Sequence, residues 1–368
     1  MPEYSSPGVY IEEVPGRSKP IEGVPTSTTA FVGEAAAGPV REPVQVASFT
    51  QFQSTFGGLV PKAELGYAVR QFFQNGGTDA RIVRVDDDGQ VPGALVALNR
   101  MAPLGLLCLP GYVKRETLTA ALAYCDRWRV FLVVDAPGNN APAARELAGI
   151  LRMTGSANGA VYFPRLSVAD PLANNAPRSS PPSGAVAGVI ARTDATRGVW
   201  NAPAGTPAHV TSTLGVEAVV DDALAASLQT AGVNPIRSIP GSGIVIWGAR
   251  TISTDERWQH LPARRLLLYI ETSLERGLQW AVSEPNTRRL WNLLAVSVTS
   301  FLARLRFMGA LRGVTSDDAF FVKHGRDAMT PADVRAGRAI LLVGFAPIMP
   351  SDFVVLRIVV VTRRRGGP

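Results

Sequence analysis

The sequence is poor in the residues that carry most enzyme chemistry. It has two cysteines, Cys108 and Cys125, and three histidines, His209, His260 and His324. Two thiols in apolar surroundings cannot build a metal cage alone, so both read as plain buried thiols. The histidines share no HxxxH or HxH spacing, so no metal and no cofactor are expected. No GxxxxGK[ST] run is present to cradle phosphates, and Gly155-Ser156-Ala157-Asn158-Gly159 does not match GxSxG. Asp86-Asp87-Asp88-Gly89 lacks the alternating oxygen ligands and distal Glu of a calcium loop and reads as a solvated turn. No apolar run approaches the roughly 20 residues of a membrane span. Met1-Pro2-Glu3-Tyr4 lacks the basic-then-apolar order of a secretory signal, so the cytoplasm is the expected place of assembly.

Charge of one sign is also not concentrated. Lys and Arg outnumber Asp and Glu by 37 to 30, giving a net charge of +7. The arginines are spread along the chain with no long basic tract carrying interleaved aromatics. A dispersed arginine-rich surface therefore explains the charge better than nucleic-acid binding does; a basic face meeting a large acidic protein is the third reading. Glu271 and Glu275, four residues apart on a helix, read as surface partners of Arg276 and Arg264-Arg265 rather than as an acid/base pair.

With 46% hydrophobic residues over 368 positions, the chain can bury two substantial cores. From Thr29 to about residue 240 strand and helix signals alternate, which predicts an α/β fold with parallel pairing. Strands are expected at Thr29–Gly33, Ala80–Val85, Leu104–Leu109, Val130–Val134 and Gly159–Phe163, and helices at Leu65–Asn75, Glu116–Cys125, Ala141–Arg152 and Leu224–Ala231. Residues 164–184, rich in Asn, Pro and Ser, read as an outer loop. After Pro240-Gly241-Ser242-Gly243 two long helices dominate. The first starts near Pro262 with Leu266, Ile270, Leu274 and Leu278 in one stripe; the second, capped by Asn286 or Thr287, buries Leu290, Leu294, Val298, Phe301 and Leu305. Its other face carries Arg288 and Arg306, which project in the same direction about 27 Å apart along the axis.

A short strand stands at each end, the first of them alternating. Pro7-Gly8 and Pro15-Gly16 bracket Val9-Tyr10-Ile11-Glu12-Glu13-Val14, and the chain closes with Phe353 to Val361, apolar on both faces and outside any obvious hairpin. Such strands can add to the sheet of another copy and cross-link subunits, head to tail, into rings or helices.

The ordered set of segments resembles the contractile tail sheath family of phage tails, pyocins and extracellular contractile injection systems. The resemblance is carried by Pro7-Gly8-Val9-Tyr10-Ile11-Glu12-Glu13, Tyr67 through Gly77, Pro182-Ser183-Gly184 through Asp194, Arg197-Gly198-Val199-Trp200 and Asn234-Pro235-Ile236-Arg237. Further segments are Trp247-Gly248-Ala249-Arg250-Thr251, Arg264 through Glu271, Gly277 through Val282, and Glu284-Pro285-Asn286. The resemblance implies a structural, non-catalytic subunit that polymerises helically around an inner tube on a baseplate, below a terminal cap, and contracts to drive the tube through a target membrane. It implies an α+β inner domain, an α/β outer domain, and extended terminal arms that insert into neighbours.

Carried onto this chain, residues 1–28 are the N-terminal arm and linker, 29–240 the outer domain, 241–350 the inner domain and 351–368 the C-terminal arm. Residues 17–28 and 346–352 are the expected hinges. Strand exchange falls to Val9, Tyr10, Ile11, Glu12, Glu13, Phe353, Val355, Leu356, Ile358, Val359 and Val360. Arg288 and Arg306 are tube-facing candidates on the strength of their helix face, without a family motif behind them. Expected partners are other copies of the chain, the tube, the baseplate and the cap, with no nucleic acid and no membrane insertion. The resemblance implies a particle assembled in the bacterial cytoplasm, belonging to a phage tail or to a related particle that can be released. The chain is short for a phage sheath, and Val322 to Arg326 departs from the family's usual turn. The rival class is a soluble α/β enzyme of hydrolase type.

Overall fold

The structure, a computed structural model, describes residues 19–349 and 353–362. The expected N-terminal strand, with Val9, Tyr10, Ile11, Glu12 and Glu13, lies outside them. Among the described residues the strands are β1 (Thr29–Gly33), β2 (Pro43–Val46), β3 (Ala80–Arg84), β4 (Leu106–Cys108), β5 (Phe131–Asp135), β6 (Gly159–Phe163), β7 (Leu166–Asp170), β8 (Ala176–Ser180), β9 (Gly215–Val216), β10 (Val233–Ile239), β11 (Gly243–Ile246), β12 (Phe320–Lys323), β13 (Arg338–Phe345) and β14 (Val354–Val361). The helices are α1 (Phe49–Phe56), α2 (Leu65–Gln74), α3 (Val91–Leu98), α4 (Arg115–Trp128), α5 (Ala141–Arg152), α6 (Ser183–Arg197), α7 (Asp222–Thr230), α8 (Leu261–Gly277), α9 (Arg288–Phe307), α10 (Ser316–Ala319) and α11 (Pro331–Arg335).

An eight-stranded sheet in the order β11-β10-β6-β5-β4-β1-β3-β2 forms the larger part. Its centre, from β10 to β3, is parallel; β2 and β11 close the edges antiparallel. Helices cover both faces, which explains why β5 is buried at every position. Leu132 and Val134 meet α3, α4, α5 and α7 on one side. Phe131 and Val133 meet α1, α2 and α6 on the other, together with Leu261 and Leu268 of α8. This is the α/β fold expected from the alternating pattern.

The close contact of α2 with α6 depends on glycine. A Cβ on Gly188 would lie 2.5 Å from the Phe72 carbonyl oxygen, and one on Gly184 would lie 2.2 Å from that of Ala68. Gly188→Ala is therefore expected to cost about 1–3 kcal/mol by forcing the helices apart. Gly149→Ala on α5, where a Cβ meets nothing within 4 Å, is expected to stabilise by up to about 1 kcal/mol. Urea unfolding of the two variants measures the contrast.

The sequence divided the chain at residue 240, but the large sheet runs past it. Pro240-Gly241-Ser242 turns a hairpin, with Gly241 at φ +76, and β11 returns on β10 from Ile236↔Ile246 to Ile239↔Gly243. Residues 164–184 are also not a plain loop. β7 and β8 form a hairpin there, joined by β9 in a second sheet. The buried–intermediate alternation of β7 was concealed by the Asn- and Pro-rich turn beside it.

A third core lies between α8, α9 and the sheet β12-β13-β14. The stripe Leu266, Ile270, Leu274 and Leu278 faces Leu290, Leu294, Val298, Phe301 and Leu305, as their spacing required. Thr287, not Asn286, caps α9, its hydroxyl accepting from the Leu290 N–H at 3.4 Å.

Candidate assembly interface

β14 is not outside a hairpin. It pairs antiparallel with β13 over eight positions, from Arg338↔Val361 to Phe345↔Val354. The connection, residues 346–353, is longer than the two to five residues of an ordinary hairpin loop. That length hid the pairing from a reading of the sequence. β14 is the outer strand of its sheet, so its far edge has no strand beside it among the described residues.

The two faces of β14 differ sharply. Leu356, Ile358 and Val360 face the α8–α9 core. Phe353, Val355, Val359 and Val361 face outward and are 42%, 56%, 41% and 59% exposed. The chain thus covers one face of a strand that is apolar on both, and Phe353 only stacks against Phe321, with ring centroids 5.9 Å apart. An apolar edge strand of this length is an aggregation hazard unless another chain uses it.

Beside the open edge runs a groove of about 380 Å³ between β14 and the C-terminal half of α8. Leu274, Leu278 and Val282 line it, and Arg129, Glu271 and Glu275 close one side. The closest cation to the two carboxylates is not Arg276 or Arg264-Arg265, as their spacing suggested, although the Arg264 charge also favours ionised Glu271. Both take Arg129, itself the left-handed residue that ends α4 (φ 56), at 3.3 and 2.6 Å. Burial pushes the Glu271 carboxyl above its ordinary range, while Arg129 opposes the shift. Arg264 instead donates to Asn158 Oδ1 at 2.7 Å. Arg265 is committed to a buried pair with Asp194 at 2.7 Å.

The two arginines proposed for the tube are not equivalent. Arg288 opens α9 and is exposed. Arg306 is half-buried: its guanidinium donates to the Val314 carbonyl, because residues 308–315 fold back over it. A helical wheel could not foresee that return. Sequence reasoning also passed over Arg289, exposed beside Arg288, and Phe307, 91% exposed at the far end of the helix. Two cations in a first turn oppose the helix dipole and have no acidic residue there to offset them.

At the C-terminal ends of β1, β3 and β4, where open α/β sheets usually bind ligands, lies a cavity of about 600 Å³. Three of its ionic groups are engaged within the chain: Glu64 with Arg165 and Arg178 at 2.6 and 2.9 Å, and Asp88 with Lys114 at 2.5 Å. Cys108 and Cys125 are buried, and burial pushes both thiols far up. Among the described residues no three His, Cys, Asp or Glu side chains gather as metal ligands.

Residues 93–252 match the family profile of the phage tail sheath protein central domain. The chain is 25% identical over 250 residues to a prophage major tail sheath protein of Pseudomonas aeruginosa, covering 67% of this chain and 62% of that protein. It is 30% identical over 223 residues to the tail sheath protein of Burkholderia phage BcepMu, covering 56% and 46%. The alignments thus span less than two thirds of either relative's length. Among solved structures, the contracted helical sheath of the anti-feeding prophage superposes with a TM-score of 0.77 at 30% identity, over 96% of this chain and 99% of that one. The contracted PVC sheath complex of an extracellular contractile injection system gives 0.79 at 27%, over 97% and 98%. The chain belongs to the contractile tail sheath family.

Proposed function

We propose that this chain is the structural subunit of a contractile sheath, polymerising helically around an inner tube and shortening to drive that tube through a target membrane, without catalysing a reaction. The single observation that supports this best is β14: a full-length apolar edge strand, covered on one face only, on a connection long enough to let it leave. Eight connecting residues reach up to about 27 Å when extended. β14 can therefore sit on its own β13 or make the same main-chain bonds on a neighbour's, the geometry of a strand swap. Phe353, Val355, Leu356, Ile358, Val359 and Val360 are the exchanged residues at this end. Val9, Tyr10, Ile11, Glu12 and Glu13 are proposed for the other. In this reading residues 1–28 are the N-terminal arm and linker and residues 351–368 the C-terminal arm. The outer domain carries the large sheet and the inner domain carries α8, α9 and the three-stranded sheet.

The neighbours described above are sheath assemblies, and a further match, at 29% identity and a TM-score of 0.77, is to the anti-feeding prophage baseplate. We accordingly place a baseplate, a tube and a terminal cap among the partners, in a phage-tail-like particle assembled in the bacterial cytoplasm. Arg288 remains the tube-facing candidate, with Arg306 a weaker second because its guanidinium is already engaged. Electron microscopy of the purified, full-length chain tests the reading: tubes or stacked rings support it, and a monodisperse small oligomer contradicts it.

Charge reversal tests the tube contact. Arg288→Glu is expected to weaken co-sedimentation of sheath with tube about tenfold at low salt and less at high salt, with self-assembly unchanged. Arg306→Glu is expected to act less. Undiminished tube binding by the Arg288 variant removes this residue from the contact.

A further inference from the structure

We propose that residues 19–28 are a clamped strap rather than a hinge, and that the Arg265 guanidinium bolts this strap to both halves of the subunit at one point. The sequence reads this stretch as a polar, proline-bearing linker, and it has no helix or strand. Yet it is tied down at nearly every step. Lys19 lies over the Trp280 ring, 4.6 Å from its centroid. Ile21 is buried in the α8–α9 core, and its carbonyl accepts from Arg304 at 2.5 Å. The Val24 N–H donates to Ser273 Oγ at 3.1 Å. Thr28 Oγ1 donates to Asp79 at 3.0 Å, and the Gly105 N–H donates to the Thr28 carbonyl at 2.9 Å.

Thr26 is the junction. Arg265 of α8 reaches Asp194 of α6 through both terminal nitrogens, each at 2.7 Å, and one of these nitrogens also donates to the Thr26 carbonyl at 3.0 Å. Thr26 Oγ1 closes the set by donating to Asp194 Oδ2 at 2.6 Å. The side chains of the ion pair are 3% and 4% exposed. A planar fork can serve a carboxylate and a carbonyl together; a lysine ammonium has no such fixed pair of donors. A buried charge pair of this kind is weak evidence of added stability; what it contributes in the proposal is geometry. Here the geometry joins three pieces that are far apart in sequence: strap, α6 of the large sheet and α8 of the third core. A pull on the segment before Lys19 then reaches both halves of the subunit at once and is not absorbed within residues 19–28. This mechanical consequence rests on the sheath reading; the lock itself does not.

Hydrogen exchange on the purified full-length chain tests the lock without any assembly. In the wild type the Val24 amide is expected to exchange at least about a hundredfold more slowly than an unprotected amide. Arg265→Met combined with Asp194→Leu replaces the pair by apolar groups, a change that folded proteins tolerate. It is expected to speed Val24 exchange about tenfold or more while the interiors of α6 and α8 stay protected. Gly277→Val attacks the strap from its other end, since a Cβ there would lie 2.7 Å from Ile21 Cγ2. It decides the matter if the double variant loses α6 and α8 as well: accelerated Val24 exchange with both helices protected supports the strap. Unprotected exchange at Val24 in the wild type, or Val24 protection unchanged in the variants, overturns it. A protected strap in a chain that forms no tubes would instead count against the sheath reading alone.

Discussion

Deleting residues 1–16 is expected to abolish polymerisation and to leave a folded subunit. Among the described residues, all three cores are assembled from positions at or after Ile21, and the contacts that fix the strap begin at Lys19. Removing the first 16 residues leaves every packing contact among the described residues in place, and the thermal midpoint is expected to shift by no more than about 2 °C. What the truncation removes, in the proposed reading, is one of the two segments that donate main-chain hydrogen bonds to another copy. Sheath assembly in this account needs links in more than one direction, and β14 alone supplies links in one. Electron microscopy and size-exclusion chromatography of the truncated chain measure both halves of the expectation. Normal tubes from it would show that the N-terminal segment is dispensable.

Asp194→Ala is expected to be the most damaging single substitution described here. It leaves the Arg265 guanidinium buried without its carboxylate and also takes the acceptor from Thr26 Oγ1. Breaking one side of a buried pair costs about 3–5 kcal/mol, much of it the desolvation of the abandoned charge. Arg265→Lys keeps the charge but loses the fork, and is expected to fall between Asp194→Ala and the wild type. Asp222→Ala is the control. Its partner Arg237 lies at 2.6 Å, but the Asp222 side chain is 95% exposed, so its loss is expected to cost less than about 1 kcal/mol. Denaturant unfolding of the four chains separates these expectations, and equal effects at positions 194 and 222 would contradict the structural assignment of the lock.

Much of the fold could be read from local pattern. β5 and β6 are short, continuous apolar runs, and they form buried parallel strands. The four- and three-residue spacing of leucines in α8 and α9 identified both helices and the faces that meet. The signals that failed were those interrupted by proline, glycine or asparagine. α3 begins Val91-Pro92-Gly93, and β10 carries Pro235 within the sheet, so neither reads as a regular element. The candidate interface was legible in part. The double apolar pattern of Phe353 to Val361 marked it as a strand in need of cover, but not that β13 supplies one edge or that α8 lines a groove at the other. Side-chain partners distant in sequence were the least legible. Glu271 meets Arg129, and Arg265 meets Asp194, because the fold places α8 against the large sheet. No periodicity encodes such meetings. The reach of Arg306 back to Val314 is set by a loop whose path local residue types do not determine.

Strand exchange is tested most directly by a disulfide placed across β13 and β14. Leu342 and Arg357 stand opposite each other in the register. Cross-strand Cβ atoms lie about 5 Å apart, close enough for a disulfide with slight adjustment. The two native thiols are buried and give little background. Assembled particles of the Leu342→Cys/Arg357→Cys chain are oxidised and run on a denaturing, non-reducing gel. A ladder of covalent multimers is the predicted result, since each β14 then lies on the β13 of another copy. A single monomer band from oxidised particles would contradict the account, because each strand would have stayed on its own subunit.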